Sequence, residues 1–440
     1  MPERRRDLDV LIVGGGAREH ALAWKVRQSP LVRTIYCAPG NAGIAQAAQC
    51  VPIDPTAVAA LADFAQERRC GLTVVGPEAA LAAGVADEFD RRGLPIFGAS
   101  KAAAEIESSK VFAKEFMRRH RIPTAGHQVA ESAAEALAIL RRRGSGPVVL
   151  KADGLAAGKG VVVAAGREEA EQAVEAMLVE KRFGAAGERV VIEDRLEGPE
   201  VSFFALSDGE RAVPLTTCQD YKRLQDGDRG PNTGGMGGYS PSVLIDAATH
   251  GRIQETVVSP TVRGLQSEGR PYRGILYVGL MLTASGPQVL EYNARFGDPE
   301  AELIAVRMAS DLVPLLQATL AGRLEEAPIA WHAGRSVCVV LAAAGYPSAP
   351  RTGDPITGCE EASRVEGAVV FHAATRDAGG TFLTAGGRVL TVTALGETFG
   401  EAARRCYAAV GAIRFSGRQA RTDIARVAIE SESGGGRGRG

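Results

Sequence analysis

Residues 148–163 read V-V-L-K-A-D-G-L-A-A-G-K-G-V-V-V. Two runs of apolar, β-branched residues enclose a loop holding Gly154, Gly158, Lys159 and Gly160, and Lys151 closes the first run. β-branched side chains favour the pleated strand, so the pattern is strand, glycine loop, strand. A Walker A loop needs four residues between its glycine and the Gly-Lys pair, then Ser or Thr and a helix. Here three residues separate Gly154 from Gly158, Gly160 follows Lys159, and valines resume the strand, which excludes a P-loop NTPase. Glycine backbone can approach phosphate oxygens closely, and two lysines add point charge, so the hairpin fits a flap over a polyphosphate. These residues alone fit an ordinary hairpin with a generous turn equally well.

A chain of 440 residues has room for about three domains. With 51 basic against 52 acidic residues and a net charge of −1, no global field draws it to nucleic acid or an anionic membrane, so neither partner is expected and any anion site must be local. The seven cysteines are scattered and never spaced as C-x-x-C, which fits a reduced, cytoplasmic chain. The basic start does not lead into a signal peptide, because the apolar run 10–13 is cut at once by three glycines and Arg18-Glu19-His20. No apolar run approaches the length of a membrane span. Residues 431–440, rich in glycine, serine and arginine, read as a disordered tail, so truncation after Glu430 is expected to leave stability and activity unchanged.

From residue 10 to about 98 short buried strands (10–13, 34–37, 72–75, 95–97) alternate with helical stretches (21–28, 56–69, 81–92), the pattern of a parallel Rossmann-like unit. Its first turn places Glu19 where the dinucleotide fingerprint has its third glycine, and no acid follows the second strand, which disfavours NAD. The strand-end turns Gly14-Gly15-Gly16, with Arg18 and Glu19, and Gly40-Asn41 suit a small phosphorylated ligand, or are simply tight turns.

A helix over 101–120 carries Lys110; a helix over 133–143, the hairpin, a helix over 168–180 and a strand over 189–192 then make a lid-sized α+β unit. Glu193 just past that strand and Glu200 after the turn could line an adenosine slot, although such a stretch taken alone is more often a solvated acidic turn. Residues 219–239 are too long and glycine-rich a stretch to read as packed structure, and they carry Asp220, Lys222 and Arg223, which favours a functional loop. Downstream, the strand 288–292 runs into E-Y-N-A-R-F-G-D-P-E. Residues two apart on a strand share a face, so Glu291 and Asn293 present hard oxygen ligands together, which suits Mg²⁺ bound with phosphates. Arg295 on the same face could stabilise a phosphoryl group in transfer. After about residue 330 a smaller α+β domain follows, with strands near 336–342, 369–372 and 388–393 and a helix over 398–410; it shows no motif with chemistry of its own.

G-G-x-R-E-H, A-P-G-N-A-G, V-G-P-E, K-A-D-G-L-A-A-G-K-G, G-P-N-T-G-G-M-G and R-F-G-D-P-E, in this order, resemble the ATP-grasp ligases, and within them the glycinamide ribonucleotide synthetase family. The resemblance spans residues 10 to about 429. It implies a Rossmann-like (pre-ATP-grasp) domain over 1–104, an ATP-grasp domain over 105–330 with a lid at about 123–192, and a small α+β domain over 331–430 ahead of the tail. It implies that Lys110, Lys151 and the 154–160 hairpin meet the ATP phosphates, that Glu193 and Leu196 face the adenine, and that Glu200 meets the ribose. Glu291 and Asn293 would hold Mg²⁺ or Mn²⁺. Arg295 and Asp298 would lie beside the reacting carboxylate, with Asp220 and Lys222 close by. The sugar phosphate would sit on Gly15, Gly16, Arg18, Glu19, Gly40 and Asn41, so loss of Arg18 or Asn41 should weaken that substrate alone. Ala17, Ala80 and Tyr221 depart from the family pattern, and Tyr221 removes an imidazole from its loop. The implied activity joins glycine to 5-phosphoribosylamine through a glycyl phosphate, in a monomeric cytoplasmic enzyme of purine biosynthesis. Another ATP-grasp carboxylate-amine ligase, or a non-catalytic nucleotide-binding regulator, remain as alternatives; the latter should lack the metal ligands.

Overall fold

Four apolar runs, too short for helices, form four of the strands of a five-stranded parallel sheet in the computed structural model, which describes residues 7–155 and 160–435. The spatial order is Gln49–Cys50, Val32–Pro39, Leu8–Gly14, Leu72–Val75, Ile96–Phe97. The chain reverses direction of travel across the sheet between Leu8–Gly14 and Leu72–Val75, the place where open α/β sheets bind ligands beyond their carboxyl ends. Two loops meet there: Gly14-Gly15-Gly16 and Gly76-Pro77-Glu78. The first helix, Ala17–Val26, starts earlier than its apolar pattern indicates because Glu19 reaches back to accept from Gly16 N at 2.5 Å, satisfying an otherwise orphaned helix N–H.

The helix expected over 101–120 is broken at Ser109. Its backbone turns extended there (φ −131°, ψ 113°), and its hydroxyl caps a second helix, Lys110–Arg119, by accepting from Phe112 N at 3.0 Å. The break sets Lys110 at a helix start. The lid is a four-stranded antiparallel sheet ordered His127–Ala130, Val190–Asp194, Val148–Ala152, Val161–Ala164, covered by the helices Ala133–Arg143 and Arg167–Val174. It buries its own apolar set, including Leu140, Leu150, Val174 and Ile192, so it can move as a unit. Gly158 and Lys159 of the flap lie outside the described residues.

An eight-stranded antiparallel sheet forms the rest of the core, ordered Gly286–Asn293, Arg273–Thr283, Glu200–Asp208, Ala212–Asp220, Gly237–Ser240, Arg335–Ala342, Arg388–Gly396, Ala368–His372. The sheet runs without a break across residue 330, so the carboxyl-terminal lobe is joined to the central domain by backbone hydrogen bonds. Its hinge strand, Gly237–Ser240, lies in the stretch expected to be an unpacked loop, which corrects that reading. A Cβ on Gly237 would come 2.4 Å from Cys338 O, so glycine serves close strand pairing there rather than mobility. Residues 223–232 form a hairpin of their own, Arg223–Gln225 with Arg229–Asn232.

The final helix, Arg426–Gly435, overturns the expectation of a disordered segment from residue 431 as far as Gly435. Composition hid its anchor: Glu432 Oε2 accepts from Phe399 N at 2.8 Å, and Glu432 Oε1 lies 3.5 Å from Arg335 Nε. Residues 436–440 of the expected tail lie outside the described residues.

Candidate active site

A bulge decides how the lid meets the metal strand. In the pairing of Gly286–Asn293 with Arg273–Thr283, Glu291 faces Gly279 and Val289 faces Leu280, leaving Leu290 extra. The carbonyl this frees from the ladder accepts from Lys151 Nζ at 2.9 Å, tying the lid strand Val148–Ala152 to the edge of the core sheet. Lys110 Nζ donates to Gly154 O at 2.9 Å from the opposite side, at the base of the flap. Two of the sequence-predicted lysines thus converge on the hairpin. Ala152 N donates to Gly160 O at 2.8 Å, closing the hairpin neck.

Glu193 is buried at 2% exposure between two cations: Lys114 Nζ at 2.7 Å from one oxygen and Lys151 Nζ at 2.9 Å from the other, the second contact lying off the hydrogen-bond line. Burial works to raise its carboxyl pKa, and the two ammoniums hold it below the usual range. Its side chain holds two lysines in place. Lys114 was missed in the sequence because it reads as one more helix charge. Burial lowers it to about 8 despite Glu193, and it also donates to Thr124 Oγ1 at 2.7 Å. Leu196 is half-buried beside the exposed Glu200, whose carboxylate accepts from Lys222 Nζ at 2.7 Å.

Glu291 sits among four cations. Burial raises its carboxyl, but Lys222, Lys151, Lys110 and Arg295 together bring it below the ordinary range. Asp220 nearby is pushed up, first by burial, with Lys222 opposing. Burial lowers Lys222, but Asp220, Glu200 and Glu291 more than offset this and raise it. Lysines and an arginine interleaved with carboxylates in this way suit a polyphosphate bound together with a divalent cation. Glu291 with the amide oxygen of Asn293 is a hard-oxygen pair that fits a divalent cation shared with phosphates; in this structure Asn293 Oδ1 accepts from Arg295 Nη2 at 3.0 Å.

Arg295 is gripped on three sides: Nε lies 3.2 Å from Glu78 Oε2, Nη2 2.9 Å from Glu107 Oε1, and Nη1 donates to Phe296 O at 3.2 Å. Glu107 Oε2 also accepts from Ala294 N at 2.7 Å. Both carboxylates escaped the sequence reading. Glu78 stands in V-G-P-E at the sheet's switch point, a signal that was available; Glu107 ends a plain helical run. Arg18 joins the same knot, with Nη1 3.9 Å from Glu78 Oε2 and 3.2 Å from Phe296 O. Asp298 meets Arg388, from beyond the expected domain boundary, at 3.2 Å.

The two phosphate-site loops clasp one another. A Cβ on Gly15 would lie 2.5 Å from Gly40 O, so glycine is required for this approach. Two expected ligands are already occupied. Asn41 Nδ2 donates to Gly15 O (2.9 Å), His372 O (2.7 Å) and Ala373 O (3.0 Å), while its Oδ1 accepts from Gly43 N and Ile44 N. Arg18 Nε binds Glu19 at 2.6 Å, and Glu19 itself is 2% exposed. His20 Nδ1 accepts from His372 N at 2.8 Å, while His120 and His127 face Glu268 and Glu115. Tyr221 hydroxyl accepts from Ala425 N and its ring carries the Arg421 guanidinium at 4.6 Å, a packing role.

Residues 8–107, 108–301 and 336–427 match the sequence models of the N domain, the ATP-grasp (A) domain and the C domain of phosphoribosylglycinamide synthetase. The chain is 51% identical over 429 residues to the phosphoribosylamine-glycine ligase of Salmonella typhimurium (strain LT2), covering 97% of this chain and 100% of that one. It is 50% identical over 428 residues to the enzyme of the same name from Vibrio vulnificus (strain YJ016), covering 97% and 99%. The crystal structure of phosphoribosylamine-glycine ligase from Thermotoga maritima superposes with a TM-score of 0.83 at 36% identity, covering 95% and 100%. A biotin carboxylase domain from Hydrogenobacter thermophilus, solved with MgADP, superposes with a TM-score of 0.72 at 18% identity, covering 94% and 92%, and shows the shared fold alone.

Proposed function

The chain belongs to the phosphoribosylglycinamide synthetase family and is an ATP-grasp ligase, and we propose how its own residues join glycine to 5-phosphoribosylamine. A carboxylate is a poor electrophile. A glycine carboxylate oxygen attacks the γ-phosphorus of ATP, the bond to the bridging oxygen breaks, and ADP leaves. The amine then attacks the acyl carbon of glycyl phosphate, the C–N bond forms, phosphate departs, and the amine's proton passes to phosphate or solvent. No side-chain nucleophile is needed.

Lys110 and Lys151 bind the ATP phosphates under the hairpin that carries Gly154 and Gly160. Leu196 lies beside the adenine, and Glu200 meets the ribose. Arg295, pinned by Glu78 and Glu107, stabilises charge on the transferring group, with Asp298 near the reacting carboxylate and Asp220 and Lys222 alongside. Glu291 and Asn293 would hold Mg²⁺ or Mn²⁺, which supplies charge neutralisation to the phosphates when bound. The lid shields the acyl phosphate from water. The observation that supports this reading best is the convergence of Lys110 and Lys151 on the base of the hairpin, Lys151 bonding to Leu290 O beside Glu291 while Arg295 bonds to Asn293 two residues on.

The proposal extends to a cytoplasmic monomer acting on small molecules. Seven free cysteines fit a reducing compartment, and among the described residues no helix is long and apolar enough to cross a membrane. Sedimentation tests the monomer. The activity is tested by ADP release with ATP, glycine and freshly made phosphoribosylamine, each omitted in turn. Release that continues without the sugar amine, or with no glycinamide product, overturns the reading.

A further inference from the structure

A phosphate monoester at the carboxyl ends of the amino-terminal sheet needs a cation with uncommitted N–H groups, and the side chains expected to supply them are engaged elsewhere. Arg18 is 8% exposed, with Nε on Glu19 and Nη1 on Phe296 O and 3.9 Å from Glu78, so it keeps no two-nitrogen edge and only Nη2 lacks an acceptor among the described residues. The Asn41 amide holds the Gly15 loop to His372 and Ala373.

An arginine with two nitrogens not bonded to any acceptor among the described residues comes instead from the carboxyl-terminal lobe. Arg388 opens the strand Arg388–Gly396, and its Nη1 lies 2.5 Å from Gly234 O, 2.7 Å from Asp298 O and 3.2 Å from Asp298 Oδ1. These contacts hold the Nη1 corner of the guanidinium in place. Among the described residues no side-chain or backbone oxygen accepts from its Nε or Nη2, and the side chain keeps 22% exposure. A guanidinium offers five N–H donors in a planar fork that matches the oxygens of a phosphate. The position is also right. Asp298 Oδ2 lies 3.6 Å from where a Cβ on Gly16 would stand, so Arg388, Asp298 and the first glycine turn face one junction. The G-P-N-T-G-G-M-G segment reaches it through Gly234, whose N donates to Tyr346 hydroxyl at 3.0 Å.

We propose that Arg388 is a substrate-binding residue whose Nε–Nη2 edge takes the phosphate of the sugar-phosphate amine, so that the carboxyl-terminal lobe completes the amino-terminal site. This rests on the ligase reading above. Arg388→Lys keeps the charge and removes the fork; Arg388→Gln removes both. With each substrate varied against saturating levels of the other two, both variants raise the KM for phosphoribosylamine, by about ten- to hundredfold for Arg388→Gln, and leave those for ATP and glycine within about threefold. A rise in the glycine KM instead assigns the fork to a carboxylate and overturns the proposal, as does an unchanged KM for phosphoribosylamine.

A measurement on the unmodified protein guards against misfolded variants. Phenylglyoxal labelling, mapped by peptide mass spectrometry, is expected at Arg388 and is suppressed by ribose 5-phosphate as probe. Labelling indifferent to ribose 5-phosphate overturns the assignment. Should the unmodified protein release no ADP on the sugar amine, the ligase reading fails, while the protection experiment still reports on Arg388.

Discussion

Ser109 Oγ donates to Asp153 Oδ1 at 2.9 Å, fastening the base of the lid hairpin to the start of the helix that carries Lys110. The same oxygen accepts from Val111 N at 2.8 Å, and Asp153 Oδ2 accepts from Arg189 Nη2 at 2.5 Å. Asp153 therefore fixes the hairpin neck relative to Lys110, and Asp153→Ala loosens it while stranding donors on Ser109, Val111 and Arg189. The expected result is a KM for ATP raised about tenfold with a fall in stability of about 1–3 kcal/mol. Asp153→Asn, which keeps one acceptor oxygen, should recover part of both. An Asp153→Ala enzyme with unchanged KM for ATP would separate this clasp from nucleotide binding.

Lys222, Lys151, Lys110 and Arg295 all act to hold the buried Glu291 carboxyl below the ordinary range, so its charge is what a substitution here should test. Glu291→Gln keeps the volume and removes the charge. Turnover at saturating Mg²⁺ should drop by at least about 10²-fold, the loss typical of one charge-stabilising group at a transition state. Near-normal turnover would remove Glu291 from the metal site. Chelation by EDTA should abolish activity of the parent enzyme reversibly.

What was legible in the sequence is what local chemistry dictates. The run 72–75 reads as a buried strand because all four residues are apolar or β-branched, and the structure keeps those bounds. The period-two spacing placed Glu291 and Asn293 on one strand, but the extra residue at Leu290 leaves no mark in that pattern. Contacts across long stretches of chain left none either: Arg295 with Glu78 is 217 residues apart, and Asn41 with His372 is 331. Asn41 looked like a ligand because a glycine loop with an amide suits a phosphate. Only the fold shows three carbonyls already around its nitrogen.

Asn41→Ala tests that reassignment. Removing the amide leaves Gly15 O, His372 O and Ala373 O without a donor and Gly43 N and Ile44 N without an acceptor. A cluster of half-buried groups losing partners should lower stability by about 2–4 kcal/mol. Thermal melts should show this in the absence of any substrate. A variant as stable as the parent, with only the KM for phosphoribosylamine raised, would restore Asn41 as a direct ligand.

Glu432 makes the last helix part of the fold. Its carboxylate accepts from Phe399 N, at the start of the helix Phe399–Ala412, where backbone N–H groups lack intrahelical partners. Truncation after Glu430 or Glu432→Ala should therefore destabilise by about 1 kcal/mol, against the neutral outcome that composition implies. Activity at 25 °C should be unaffected, since this helix end lies apart from the lysines at the hairpin. Equal denaturation midpoints for parent and Glu432→Ala would dismiss the contact.

The last prediction concerns acid stability at the junction of the amino- and carboxyl-terminal parts. His20 and His372 are 9% and 4% exposed, with ring centroids 5.8 Å apart, and His20 Nδ1 is an acceptor for His372 N, which requires it unprotonated. Burial, helped by the neighbouring imidazole, lowers His20 to about 3, and burial lowers His372 to about 4. Both folded values lie below the unfolded value of about 6.5, so the unfolded chain takes up protons first as pH falls. Stability from these groups is thus complete above about pH 6.5 and is lost progressively toward pH 4, at up to about 1.4 kcal/mol per pH unit for each imidazole. Carboxylates held low, such as Glu193, act mainly below their unfolded value of about 4.3, whereas the buried Glu300 carboxyl, raised to about 7 by burial, titrates across the same window with the opposite sign, so the histidine share is read from the difference between His20→Asn and the parent. His20→Asn retains an acceptor for the His372 N–H and removes one titration. Urea midpoints at about pH 7.5, 6 and 5 should fall less steeply for His20→Asn than for the parent. Parallel slopes would mean that at least His20 is already accessible to protons in the folded state, and that the junction opens before it can be titrated.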